Sequence, residues 1–386
     1  MRIIAPINVD ETNLLTSNVS GTDNPAWVNT KLYITGEFVQ VDATGSHHNY
    51  ESLVGSSSVV TISTSNPAVV TWTAHGLAAN TPIQFTTTGA LPTGITAGST
   101  YYVIAPTTNS FNISATSGGS TITTTGTQSG VHTARASTNI GFDPASNPTK
   151  WLDLGSINKY KMFDKSVQSQ TANASSVDVK IYSAGYADTI VLLNIVGTSA
   201  RVKVTHPVDG TIYDVTKTLS STRGIVNWYR YFFTPIVRIT DIIFEGIPYY
   251  AGITIEVIVS TPSGNAAIGA CLIGSATDIS SAKLGVEQGA KLSIVDYSLK
   301  QQDAFGNYTI KERAFNRKAN WTVYVNGDEV DAIYSLLSTR RATPTVYIGG
   351  ADYGSSILYG FFKAFDIDIN YKDMPAVVTI ELEALT

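Results

Sequence analysis

Apolar and polar residues alternate along most of this chain, and the alternation has a period of two. Val59, Ile62, Val69, Trp72, Ile83, Phe85, Tyr101, Val103, Phe111, Ile113 and Ile122 are spaced through a Ser- and Thr-rich background. Breaks fall at Asn66-Pro67, His75-Gly76, Leu91-Pro92 and Ser117-Gly118-Gly119. Side chains on a strand point alternately to its two faces, so these runs predict short strands with one buried face, closed off by turns. The same pattern predicts strands over Val177–Tyr182, Thr189–Val196, Ala200–Thr205, Thr211–Val215, Trp228–Phe233, Asp241–Phe244 and Gly252–Val259, with His206-Pro207-Val208-Asp209-Gly210 as a turn. A helical period occurs over Asp328–Arg341, where Val330, Ile333, Leu336 and Leu337 share a face and Asp328 and Glu329 lie at the positively polarised end. The expected fold is mainly β: several β-sandwich domains with a C-terminal α+β part containing one clear helix.

Breaks in the pattern divide the chain. Residues 1–26 form a polar N-terminal arm, either loose or laid on a neighbouring subunit. Trp27 to Leu53 has too few apolar residues to close a core, and Trp151–Asp164 resumes its theme, so 27–55 and 136–170 are one split aromatic-rich β element. Between them, residues 52 to 134 contain no Asp, Glu, Lys or Arg. The inserted module over 56–135 is therefore a charge-free β-sandwich or barrel, taken here as a sandwich. Residues 171–262 follow as a jelly-roll or galectin-like sandwich. The α+β part, 263–386, has strands over Lys291–Lys300, Thr309–Arg313, Trp321–Val325, Thr345–Ile348, Ser356–Phe362, Phe365–Tyr371 and Ala376–Glu383, and a turn at Asp303–Asn307.

Composition narrows the chemistry. A chain of 386 residues accommodates two to four domains, at roughly 100–200 residues each. Hydrophobic residues make up 43% and charged residues only 14%, against a usual share of about 25% charged. A net charge of −5 and a pI near 5.5 give no attraction for phosphate backbones, so nucleic acid is not an expected partner. The single cysteine, Cys271, permits neither an internal disulfide nor a cysteine metal site and reads as a small buried thiol. The N-terminus lacks the pattern of a signal peptide and no run matches a membrane span, so synthesis in a cytoplasm is expected.

The five histidines, His47, His48, His75, His132 and His206, have no metal-binding spacing, and His75 and His206 read as turn residues. Neither a nucleophile elbow nor a phosphate-binding loop occurs. The fragments Asp10-x-x-Asn13 and Asp303-x-x-x-Asn307 fall short of a calcium loop. Asp366 with Asp368, and Glu381 with Glu383, alternate on single strands, as an ordinary solvated sheet face does. No catalytic residue, metal or cofactor is expected, and the protein is read as not an enzyme.

Several motifs resemble known modules. Trp27, Tyr33, Gly36, Phe38-Val-Gln-Val41, Tyr50-Glu-Ser-Leu53 and Asn147-Pro148-Thr-Lys-Trp151 resemble the aromatic-rich, chitin-binding-related carbohydrate modules of phage tail proteins. Val70-Thr-Trp-Thr-Ala-His-Gly-Leu77, Gly89-Ala-Leu-Pro-Thr-Gly-Ile95, Thr100-Tyr-Tyr-Val103 and Asn109-Ser-Phe-Asn-Ile113 are similar to β modules of phage tail and fibre proteins. Asp296-Tyr-Ser298, Asp303–Asn307, Arg340-Arg341, Pro344-x-x-Tyr-Ile-Gly349 and Tyr359-Gly-Phe-Phe362 resemble virion structural proteins of tailed bacteriophages, in a layout similar to distal tail, or baseplate hub, proteins. The split element and neutral insert depart from the minimal distal tail design.

The resemblance implies a structural component of the virion, in the tail tip, baseplate or tail-attachment region. It would be made in the host bacterial cytoplasm and assemble as a homo-oligomeric ring that holds the tube, hub and fibre proteins. The alternative is a receptor-binding tail protein recognising host surface polysaccharide. The resemblance places Trp27, Tyr33, Tyr50 and Trp151 as carbohydrate-stacking or core rings. Tyr229, Tyr231, Tyr249 and Tyr250 read either as sugar-stacking rings or as contacts to a neighbouring subunit.

Overall fold

A computed structural model describes all residues except 44, 222–224, 236, 281–285, 287–289, 351–353, 370–374 and 386. The chain is mainly β and divides into two compact units, Gly21–Ile157 and a second made of Met1–Ser20 with Asn158–Thr386.

In the first unit, strands Phe38–Ala43, Ser46–Ser52 and Trp151–Ser156 form an antiparallel sheet with Ser46–Ser52 in the centre. Trp151 lies opposite Ser52, and Tyr50 opposite Val39. The chain leaves this sheet after Ser52, builds a closed six-stranded barrel and returns at Trp151. The barrel order is His132–Ala136, Ser56–Ile62, Val69–Thr71, Ser110–Ser114, Thr100–Ile104, Pro82–Thr87. The insert is thus a barrel and not the sandwich expected over 56–135. Its interior follows the period of two: Val60 and Ile62, Ile83 and Phe85, Tyr101 and Val103, and Phe111 and Ile113 are buried together. Full closure leaves no sheet edge to guard, which suits a module whose one charged residue over 56–136 is Arg135.

Polar side chains fasten barrel to sheet. Buried Asn139 donates to the Tyr33 carbonyl (2.8 Å) and the Ser52 hydroxyl (2.9 Å) and accepts from the Tyr33 N–H (3.1 Å). Gln84 donates to the Thr30 carbonyl at 2.9 Å, and Arg135, the first charge after the neutral span, pairs with Glu37. Gly55 makes the exit from the sheet. Its φ of +107° disfavours other residues, and a Cβ there would lie 2.6 Å from the Tyr33 carbonyl oxygen.

The second unit contains a five-stranded sheet, ordered Gly210–Thr218, Ser199–His206, Ile253–Ile268, Thr171–Ser183, Leu14–Ser17, and a three-stranded sheet, ordered Ile242–Phe244, Thr189–Leu193, Ala270–Gly274. Val177, Val179, Ile181, Val202, Val204, Ile255 and Val257 line one buried face of the larger sheet. The smaller sheet is buried on both faces. Val191, Leu193, Ile243 and Leu272 pack against Ile4, Val346, Ile348, Ile357 and Tyr359, while Ile190, Leu192, Phe244 and Ile273 lie on the opposite face. Strand-rich structure therefore runs past the expected limit of 262, to Gly274, and recruits residues 14–17.

A seven-stranded sheet completes this unit, in the order Ala276–Asp278, Arg2–Ile4, Thr345–Ile348, Ile357–Asp368, Ala376–Ala384, Phe315–Val325, Lys291–Asp296. A 3₁₀ turn, Gly327–Glu329, leads into the helix Val330–Thr339, which buries Val330, Ile333 and Leu337. The expected strand Phe365–Tyr371 ends at Asp368; Asn370 and Tyr371 lie outside the described residues. The N-terminal residues are not the expected arm. Arg2–Ile4 is an interior strand with Ile3 and Ile4 buried, because three residues ahead of the polar stretch suffice to pair on both sides.

Tyr347 and Tyr359 of this sheet are buried, and burial pushes both phenols up to about 12. The unfolded rings ionise near 10. Stability from these groups is thus complete below pH 10 and is lost as pH rises toward 12, roughly 2 kcal/mol per ring by pH 12. Absorbance at 295 nm should show the two tyrosines titrating together with loss of structure. Their titration near pH 10 in the folded protein would contradict this.

Candidate functional site

Three of the four rings expected to bind carbohydrate are core. Tyr33, Tyr50 and Trp151 are only 1 to 4% exposed and pack with Val39, while Trp27 is half-buried against the cluster. Tyr33 meets Trp151 edge to face, centroids 5.2 Å apart, and the Trp151 indole donates to the Phe142 carbonyl at 3.1 Å. The Tyr33 hydroxyl accepts from the Val28 N–H at 2.7 Å. A sugar ring stacks on an open aromatic face, and Tyr33, Tyr50 and Trp151 offer none. Of the two roles read for them, carbohydrate stacking or core, these three rings take the core one. A three-stranded sheet has few positions to fill a core, so its large rings go inside.

The remaining tyrosines distribute differently. Tyr186 and Tyr249 stack at 4.7 Å with planes 18° apart, both more than half exposed, and Tyr250 lies beside the His206 ring. Each ring of the Tyr186–Tyr249 pair covers one face of the other.

Among the described residues the histidines do not converge with one another or on an acidic cluster. His47 bonds Asp42 at 2.6 Å and His48 bonds Asp153 at 2.8 Å, from adjacent positions that point to opposite faces of one strand. His75 accepts from the Leu77 N–H within its turn, and His206 accepts from the Asp209 N–H. His132 bonds Thr87 and Gln128. Among the described residues no three His, Cys, Asp or Glu side chains are placed to share a metal ion. Glu383 is held ionised: Lys363, 2.8 Å away, keeps its carboxyl below the usual range. Burial pushes the Cys271 thiol up to about 12.

What stands out instead is apolar surface that the chain leaves uncovered. Strand Lys291–Asp296 pairs with the start of Phe315–Val325, and beyond it Leu299–Gln302 pairs with Tyr308–Lys311. These strands form an arm at the edge of the seven-stranded sheet. Leu292, Ile294, Leu299, Phe305, Tyr308 and Ile310 along it are 43 to 91% exposed. The arm's acidic groups are satisfied locally. Lys300 holds the Asp296 carboxylate at 2.7 Å, well below the usual carboxylate range, and Asp303 is held low by Asn307 and turn N–H groups. Asp303–Asn307 is therefore a capped turn and not a calcium loop fragment.

The second uncovered surface is a helix over Trp228–Phe233, where alternation predicted a strand. Asn227 caps it by accepting from the Arg230 N–H at 2.9 Å, and Pro235 follows its end. WYRYFF has no polar alternate face for a strand to show to water. That absence, together with the Asn cap, was the signal in the sequence.

Comparisons with protein families, curated proteins and solved structures found no match to this chain.

Proposed function

We propose that this protein is a structural component of a tailed-phage virion, at the tail tip, baseplate or tail-attachment region, assembling as a ring of copies that holds other tail proteins. The observation that carries the assembly reading is the arm of residues 291–316. An isolated hairpin is marginally stable in water, yet this one extends large apolar side chains into solvent. Each such side chain stabilises an assembly by roughly 1.5–3 kcal/mol when fully buried. The arm's charges are of both signs, Lys291, Asp296, Lys300, Asp303, Lys311, Glu312 and Arg313, and belong to the polar rim around such an apolar surface. The virion placement rests on the motif resemblances.

A second reading, attachment to host polysaccharide, is favoured by the stacked, exposed Tyr186–Tyr249 pair.

Mass measurement of the purified full chain tests the assembly reading. We expect a closed oligomer, and expect Ile294→Lys with Ile310→Lys to yield monomers that melt at the same temperature, since both side chains are exposed in the folded chain. A wild-type chain that stays monomeric at high concentration overturns it.

A further inference from the structure

The aromatic helix sits in a segment whose charge is unlike that of the rest of the molecule. Residues 215–240 contain no Asp or Glu but include Lys217, Arg223, Arg230 and Arg238, within a chain of net charge −5. Lys217 donates to the Ile243 carbonyl at 2.6 Å and Arg238 to the Gly197 carbonyl at 3.2 Å, bonds that leave the positive charge in place. At the base of the segment Ser220–Ser221 pairs with Val237–Arg238 across a two-residue ladder. The helix is carried at the far side of this narrow neck.

Among the described residues its rings face no groove-like partner. Trp228, Tyr229, Tyr231, Phe232 and Phe233 are 61 to 77% exposed, and among the described residues the ring contacts they make are with one another, as between Tyr229 and Phe233 at 4.8 Å. At about 100° per residue these five rings span an arc of roughly 200°, with Arg230 in the remainder. A helix bound in a protein groove presents one stripe at i, i+3, i+4 spacing. Rings over most of the circumference instead suit a medium that closes around them. Trp and Tyr favour the boundary between headgroups and hydrocarbon, and flanking cations are drawn to anionic headgroups.

We propose that this tip is a membrane-surface anchor: Val226 and the rings of Trp228–Phe233 insert into the interfacial layer of an anionic bilayer, while Lys217, Arg230 and Arg238 lie against its headgroups. No helix among the described residues is long and apolar enough to cross a membrane. The inference is independent of the assembly reading, because it rests on a different element with a different charge.

Sedimentation of the full chain with phosphatidylcholine vesicles, and with vesicles containing phosphatidylglycerol, tests it. Binding is expected to the anionic vesicles, weakening as salt is raised. Trp228 supplies a signal: it is 77% exposed, while Trp72, Trp151 and Trp321 are buried. Anionic vesicles should shift the emission to shorter wavelength in wild type, and Trp228→Phe should bind without the shift. Trp228→Ser with Phe232→Ser should lower partitioning at least about tenfold with an unchanged melting temperature, because both rings are already exposed in the folded chain. Failure of wild type to bind anionic vesicles, or full binding by the double variant, overturns the proposal. Loss of self-association in the double variant, with no vesicle binding by wild type, would assign the tip to a protein contact instead. The arm variants Ile294→Lys and Ile310→Lys should bind vesicles as monomers, so the two readings fail separately.

Discussion

Trp151→Ala will unfold the three-stranded sheet of the first unit while leaving the barrel folded. Removing a buried tryptophan costs about 3–5 kcal/mol through lost transfer energy and the cavity left behind. The core it belongs to consists of Tyr33, Val39, Tyr50 and Trp151, with Trp27 and Val41 at its margin, so one ring is a large share of the whole. The Phe142 carbonyl also loses its indole donor. The barrel keeps its own core around Phe85, Tyr101, Phe111 and Ile113 and has no edge to expose. Hydrogen exchange should therefore accelerate over residues 38–52 and 151–156 and stay slow over 56–62 and 100–114. Half-buried Trp27 is the control, and Trp27→Ala should cost about 1 kcal/mol. If Trp151→Ala melts with wild type but loses binding to glycan, the ring belongs to a recognition surface and the core assignment is wrong.

The contrast between Trp151 and Trp228 shows what the sequence could convey and where it stopped. Alternation identified the strands around Val59–Ile113 and Val177–Val259 because a strand with one wet face must alternate, whatever its neighbours do. It also indicated that Trp27–Leu53 and Trp151 belong together, since neither piece holds enough apolar residues alone. Burial of a particular ring is a different matter. Trp151 and Trp228 each follow a polar or charged residue, Lys150 and Asn227, and precede an apolar or aromatic one, Leu152 and Tyr229, yet one lies inside while the other points to solvent. That outcome depends on which strands converge, and pairing over a hundred residues leaves no local trace. Arg2–Ile4 was missed for the same reason: three residues are too few for periodicity, and their partners are near residues 277 and 347. The barrel was underdetermined because alternating strands fit either a sandwich or a closed sheet, and only the pairing of His132–Ala136 with both Ser56–Ile62 and Pro82–Thr87 distinguishes them. Trp228–Phe233 failed on period alone, six residues being too short to tell a strand from a turn and a half of helix.

In the seven-stranded sheet, Trp321→Ala should cost about 3–5 kcal/mol, and a second substitution can show that the cost is a cavity. Trp321 is buried with Ile3, Leu337, Tyr347, Leu358 and Ile380. Its strand pairs with Ala376–Ala384 at Trp321 itself and with Lys291–Asp296 as far as Asn320, so the backbone has little freedom to collapse into the space. The ring lies against Gly349, where an added Cβ would stand 3.1 Å from the indole Cζ2 and 3.2 Å from Cη2. Gly349→Ala alone should therefore destabilise by about 1–2 kcal/mol, because the indole has to move. In the Trp321→Ala background the same methyl enters empty space and should be neutral or stabilising. Denaturant unfolding of the four proteins measures the coupling directly. A coupling of at least about 1 kcal/mol is expected, in the sense that each change relieves the other. Simple additivity would mean that the sheet had relaxed around the deletion, and that packing of Trp321 on Gly349 is not what sets the spacing at the centre of this core.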